Sequence, residues 1–125
     1  MSEDREAPRS ILLTEDEPLV RHCIAQELRD IGYVVYEAQE AVDALSVLER
    51  EAVDLLITDI RMPGAVDGLQ LARRTREEHP ETRVVLLSGN ITRETDRFDG
   101  VFTKPVRMSD LIAAVKKLLP EVARN

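Results

Sequence analysis

Apolar residues fall in two rhythms along the chain. Short runs at 10–14, 33–37, 54–58, 83–87 and 101–103 are rich in Val, Ile and Leu and are bounded by polar, Gly or Pro residues. They predict β-strands. Several are apolar at consecutive positions, the pattern of parallel strands covered on both faces. Between them, apolar residues recur at three- and four-residue steps, which predicts helices. Residues 18–31 carry Val20, Cys23, Ile24, Leu28 and Ile31, with Pro18 suited to a first turn and Gly32 to a stop. Residues 39–50 carry Val42, Leu45 and Leu48. Residues 67–79 follow Pro63 and Gly64 and end before Pro80. Residues 107–119 carry Leu111, Ile112, Val115, Leu118 and Leu119 and stop at Pro120, with Ser109 and Asp110 as candidate caps.

Strands alternating with helices predict an α/β fold with right-handed crossovers. For this size the arrangement is a flavodoxin-like, doubly wound, five-stranded parallel sheet of order 2-1-3-4-5. No repeat, low-complexity segment or linker interrupts it. The expected organisation is a disordered tail over 1–9, one domain over 10–120 and a short tail over 121–125, with no effector domain attached.

Composition narrows the function. A length of 125 residues fits one core, and 43% hydrophobic with 33% charged residues is an ordinary soluble balance. Trp is absent, so the core rests on Leu, Ile, Val and Ala. The net charge of −7 argues against direct nucleic-acid binding and against an anionic membrane surface. No apolar run reaches the length of a membrane span, and the polar N-terminus is no secretory signal. Cys23 is the only cysteine, which excludes an intrachain disulfide and suits a cytoplasmic location. Its apolar helical spacing predicts a buried thiol. His22 and His79 lack partners at metal-ligand spacing and read as surface residues.

In such a sheet, ligands bind beyond the C-terminal strand ends, where the strand order switches. Strand one is followed by Glu15 and Asp16, strand three by Asp59, strand four by Ser88, and strand five by Lys104 and Pro105. Strands one and three are neighbours in the predicted order, so three carboxylates meet at one edge. They repel unless protonated or neutralised. Oxygen-only ligands suit a hard cation such as Mg²⁺, and the lack of nearby His or Cys disfavours zinc. Phosphoryl transfer needs positioning and charge neutralisation above all. Lys104 offers a mobile ammonium, Ser88 a hydroxyl donor, and Asp59 a nucleophile able to form an acyl phosphate. Each residue alone has a plainer reading. The acidic pair could favour a helix N-terminus, Ser88 a turn, and Lys104 the surface. Unrelated surface residues have no reason to occupy four strand ends of one edge, and that joint arrangement favours the chemistry.

With "ILLTEDEP", "LLITDIRMPG", "VVLLSGN" and "VFTKPV" in order, the chain resembles response-regulator receiver domains of two-component signalling, of the chemotaxis-regulator-like kind, from about residue 10 to 119. The resemblance implies that Asp59 accepts a phosphoryl group from a histidine kinase or phosphotransfer protein. It implies that Asp16, Asp59 and the backbone carbonyl of Arg61 ligate Mg²⁺, with Glu15 acting through a metal-bound water. It also implies a switch that assists its own phosphorylation and dephosphorylation rather than a turnover enzyme. The expected state is a monomer or weak dimer acting on a further protein partner.

The chain departs from the family pattern in several places. Only residues 88–99 connect strands four and five, so the usual fourth helix should shrink to one or two turns or become irregular. Residues 90–99 offer Ile91 and Phe98 as their only large apolar anchors, and are expected to be mobile until phosphorylation draws Ser88, Gly89 and Asn90 inward. The switch aromatic normally lies three residues before the lysine, where this chain has Val101. Phe102 is one residue on, hence on the opposite face, and reads as core unless a bulge restores the register. The loop before Asp67–Gly68 is one residue longer than usual, and Ala41 stands where Gly is frequent. The altered output face is closer to stand-alone receivers and those of hybrid sensor kinases than to receivers fused to DNA-binding domains. Of the competing readings, an aspartyl phosphatase would want a second Asp two residues after Asp59, where this chain has Arg61. A module that is not phosphorylated has no need of Asp59 and Lys104.

Overall fold

The computed structural model describes residues 9–62, 64, 66–89, 92 and 95–120. The chain runs β1 (Ser10–Thr14), α1 (Pro18–Ile31), β2 (Val34–Ala38), α2 (Ala41–Arg50), β3 (Leu55–Asp59), α3 (Gly68–Glu78) and β4 (Arg83–Ser88). It continues through one 3-10 turn (Thr95–Arg97), β5 (Gly100–Thr103) and α4 (Met108–Leu118). All strand pairs are parallel, in the order β2-β1-β3-β4-β5. The expectations for both tails, and for Asn90, Ile91, Arg93 and Glu94, lie outside the described residues.

Alternation along the strands divides the core in two. Ile11, Leu13, Leu55, Ile57, Val85 and Leu87 face α1 and α4, where Ile24, Leu28, Leu111 and Val115 meet them. Leu12, Leu56, Val84 and Leu86 face α2 and α3 and pack on Ala44, Leu48 and Leu71. Burying each such Leu or Ile side chain contributes about 2 kcal/mol. Coverage on both faces explains why the strand runs are apolar without a break.

Several boundaries differ from the sequence reading. β2 and β3 are each displaced one residue towards the C-terminus, so Asp59 is the last residue of β3 rather than the first after it. In α2 the buried stripe is Ala41, Ala44, Val47 and Leu48, while Val42 is exposed. Small alanines carry that contact, and a pattern drawn on large residues misplaces it. α4 has Arg107 at its N-cap without a side-chain cap bond, which puts Ser109 and Asp110 inside the first turn and not in capping positions. α3 starts with a full capping box, in which Asp67 Oδ1 accepts from the Gln70 N–H and Gln70 Oε1 from the Asp67 N–H, both at 2.9 Å. Between β4 and β5, the ordered helical structure among the described residues is the single 3-10 turn, in keeping with a fourth helix shrunk to one or two turns or made irregular. The Phe98 ring lies beneath the Arg76 guanidinium at 4.9 Å and packs on the α2–α3 side. Val101 packs on that side too, whereas Phe102 packs on the α1–α4 side, as the one-residue offset requires.

The start of α3 is pressed onto the end of β3. The Gly68 N–H donates to the Ile60 carbonyl at 2.8 Å, and a Cβ at Gly68 would fall 1.7 Å from the Asp59 carbonyl oxygen. No side chain fits there without moving backbone. Gly68→Ala should therefore lower unfolding stability by at least about 2 kcal/mol. Gly89→Ala, where a Cβ meets nothing within 4 Å, should stay within about 0.5 kcal/mol. Urea denaturation measures both, and equal midpoints would show that α3 can step away from β3 freely.

Candidate functional site

Four strand ends converge at one edge of the sheet. The Glu15 N–H continues the ladder by donating to the Ala38 carbonyl at 3.1 Å, which carries Glu15 and Asp16 just past β1. Asp59 ends β3, pairs with Leu87 across to β4, and is buried. Ser88 ends β4, is buried, and pairs with Thr103 of β5. The Lys104 N–H donates to the Ser88 carbonyl at 2.8 Å, so Lys104 leaves the sheet one step beyond Ser88. A cis peptide joins Lys104 to Pro105.

Side-chain oxygens of Glu15, Asp16 and Asp59 lie within 4.8 Å of one another. The Lys104 ammonium donates to Asp59 Oδ2 at 2.5 Å and stands 3.8 Å from Glu15 Oε1. The Arg61 N–H points at Asp59 Oδ1 at 3.4 Å. Glu15 is buried. Its Oε2 accepts from the Glu17 N–H at 3.1 Å, but its Oε1 makes no hydrogen bond. Burial pushes the Glu15 carboxyl above its ordinary range. The Glu17 N–H and the Lys104 charge pull the other way, and the Asp59 charge adds to the rise. For Lys104, burial acts to lower the pKa, but the hydrogen bond and charge of Asp59, with Glu15 and Asp16, outweigh it and hold the ammonium above its usual value. An oxygen-only cluster with one orphaned buried oxygen suits a hard divalent cation that keeps some of its water.

Comparison with known proteins agrees with the fold. The family model for the response regulator receiver domain matches residues 11–116. The chain belongs to the response regulator receiver family. It is 32% identical to the response regulator receiver protein CpdR of Brucella abortus over 89% of this chain and 97% of CpdR. It is also 32% identical to the sensor kinase CckA of the same organism over 93% of this chain, but spans only 13% of that larger protein. Among solved structures, the response regulator TrrA of Thermotoga maritima, determined with Mg²⁺ and BeF, superposes with a TM-score of 0.80 at 30% identity, covering 89% of this chain and 99% of TrrA. A receiver domain from Pseudomonas fluorescens gives 0.82 at 26%, covering 90% and 95%.

Every site residue of this receiver singled out from the sequence lies at the same edge. Glu15, Asp16, Asp59 and Lys104 are in mutual reach, Arg61 adjoins Asp59 through its backbone, and Ser88 is the ladder neighbour that receives the Lys104 N–H. Cys23 is exposed, not buried. α1 turns Ile24, Ala25 and Leu28 into the core, and Cys23 sits on the shoulder of that stripe. With exposed Leu19 and Val20 it lines a groove of about 640 Å³ that opens beside the carboxylates, between α1 and the start of α4. His22 is exposed, and His79 is the half-buried C-cap of α3. Sequence reading missed two residues that touch the backbone at this edge, Gly68 against the Asp59 carbonyl and Arg21 bonded to the Glu15 carbonyl. Gly68 passed as an ordinary position in the helix predicted over 67–79, since nothing in the chain's pattern signals contact with the Asp59 carbonyl. Arg21 was not singled out at all, although it is the sole basic residue in the first turn after the acidic pair.

Because the folded Glu15 carboxyl binds its proton more readily than the unfolded one, this group's contribution to stability is present at low pH. It is lost as pH rises from the ordinary glutamate range through the raised folded value. At neutral pH without divalent cations, Glu15→Gln should therefore melt a few degrees above the native protein. Thermal unfolding monitored by circular dichroism in chelator checks this. A lower melting temperature would mean that the ionised carboxylate is better held than its burial implies.

Proposed function

We propose that Asp59 is the phosphoacceptor of this receiver, working in a Mg²⁺-dependent reaction with Lys104 and Ser88. The observation that carries this reading is the meeting of Glu15, Asp16 and Asp59 with the Lys104 ammonium on Asp59. Asp16, Asp59 and the Arg61 backbone carbonyl would hold the cation, and Glu15, with its unbonded Oε1, would act through a water bound to it. Bound Mg²⁺ supplies charge neutralisation and a fixed seat for phosphoryl oxygens.

The rest is the work of the chain's own groups. An ionised Asp59 oxygen attacks phosphorus, a new O–P bond forms, and the bond from phosphorus to the donor's imidazole nitrogen breaks with its electron pair leaving on that nitrogen. Lys104 shifts from Asp59 onto a phosphoryl oxygen, a short move for a long stem. The Ser88 hydroxyl donates to another. The acceptor role rather than hydrolysis of a small substrate fits Arg61, which stands where an aspartyl phosphatase places its general acid. A histidine kinase or phosphotransfer protein is the expected donor, and the exposed Leu19 and Val20 beside the groove offer it an apolar seat.

Incubation with acetyl phosphate and Mg²⁺, read by intact mass, should add one phosphoryl group to the native chain and none to Asp59→Ala or to chelator-treated protein. Label surviving in Asp59→Ala would overturn the assignment. Lys104→Ala should remain folded and label on the order of a hundredfold more slowly, the usual cost of losing one preorganised electrostatic partner. Normal labelling with a collapsed melting temperature would make Lys104 structural instead.

A further inference from the structure

Arg21 lies in the first turn of α1 and takes no part in the chemistry above. Its guanidinium joins two elements. Nε donates to Glu37 Oε1 on β2 at 3.2 Å, and Nη1 donates to the backbone carbonyl of Glu15 at 2.7 Å. The Arg21 side chain is 17% exposed and that of Glu37 24%. Charge-assisted bonds so far out of water are strong and directional. Glu37 is itself fixed, since its Oε2 accepts from Arg29 Nη1 at 2.9 Å while Arg29 Nη2 donates to the Val35 carbonyl at 2.7 Å.

The bond to the Glu15 carbonyl pins the peptide that links Glu15 to Asp16. With the Glu15 N–H held by Ala38 at 3.1 Å, both backbone polar groups of Glu15 are tied. The directions in which the Glu15 and Asp16 side chains leave the chain are then set. We propose that Arg21 is a positioning residue for the carboxylate site, holding Glu15 and Asp16 towards Asp59 through the Glu15 backbone so that a divalent cation can bind. This rests on the reading of that edge as the phosphoacceptor centre.

Charge and position make opposite forecasts. As a charge, a guanidinium near carboxylates weakens binding of a divalent cation, so its removal would tighten binding. As a brace, its removal must loosen binding. Mg²⁺ is titrated by calorimetry into the full chain as the native protein, Arg21→Met, Arg21→Lys, Glu37→Ala and Asp16→Asn, at a temperature where circular dichroism shows each folded. Arg21→Met should weaken Mg²⁺ about tenfold, the usual effect of losing a bond that orients metal ligands. Arg21→Lys, which can reach the carbonyl but lacks the fork for Glu37, should recover part of the loss. Acetyl-phosphate labelling of Arg21→Met should return to the native rate at saturating Mg²⁺. Equal or tighter Mg²⁺ binding in folded Arg21→Met would overturn the proposal and leave Arg21 a stabiliser of α1 alone. If Arg21→Met does not fold, Glu37→Ala decides: weaker binding supports the brace, and native affinity overturns it. Native protein that binds no Mg²⁺, or Asp16→Asn that binds it undiminished, would instead sink the reading of the site itself, and the proposal with it. Loss in Asp16→Asn with intact binding in Arg21→Met would sink only the role of Arg21.

Discussion

Three carboxylates share one edge of the sheet, and the Lys104 ammonium is the charge set against them. Two like charges about 5 Å apart repel by roughly 3 kcal/mol at an effective dielectric near 20. That is comparable to burying one large aliphatic side chain. The site is thus a local cost that the two-sided core offsets, and its geometry holds only because backbone fixes it from several directions. β4 and β5 deliver Lys104, the close approach at Gly68 fixes the end of β3, and the ladder with β2 fixes Glu15. Lys104 differs from the rest. Its side chain is 39% exposed against 7% for Asp59, so it can leave its partner for another anion without any change in the sheet.

The fold was legible in the sequence because its strongest signals are those of burial. Strands covered on both faces write unbroken apolar runs, and the connections between them place strands one and three side by side. The acidic pair, Asp59, Ser88 and Lys104 could then be brought to one edge from their positions relative to strand ends alone. Errors arose where burial is carried by small residues or shared between faces. Ala41 and Ala44 make the α2 contact that Val42 was expected to make, and Cys23 follows the apolar spacing of α1 while lying on its shoulder. Phe102 was read correctly because a strand gives its neighbours opposite faces, a rule that needs no knowledge of context.

What the sequence does not express is contact between backbones. Nothing in the types of residues 59 and 68 announces that a Cβ at 68 would collide with the carbonyl of 59. Nothing in "EDEPLVR" announces that the last residue returns to bind the carbonyl of the first. Such contacts depend on the angle at which a helix leaves a strand, which is set by packing on the far side of the helix. α1 packs on β1 and β2 through Ile24, Ala25 and Leu28, and that packing turns Arg21 back over the loop. The core in this way reaches the Glu15 backbone at the carboxylate edge without contributing a polar atom to it.

The short connection between β4 and β5 follows from the sheet itself. A crossover between parallel strands must carry the chain back from the end of one strand to the start of the next. Ser88 pairs with Thr103 and Val85 with Gly100, so β5 begins only three register steps below the end of β4. At about 3.3 Å per residue the return is roughly 10 Å, which a connector without a full helix can cover. Its far end is secured by polar bonds instead. The Asp99 N–H donates to the Val84 carbonyl at 2.9 Å, Asp99 Oδ2 accepts from the Val84 N–H at 2.7 Å, and the Thr92 N–H donates to Thr95 Oγ1 at 2.8 Å. These anchors hold the edge of the sheet remote from the carboxylates, while the near end departs from Ser88 and Gly89. A short β5 and a short crossover are therefore one adaptation, and it leaves the placement of Ser88 and Lys104 intact because both depend on the C-terminal ends of β4 and β5, where the ladder is unbroken.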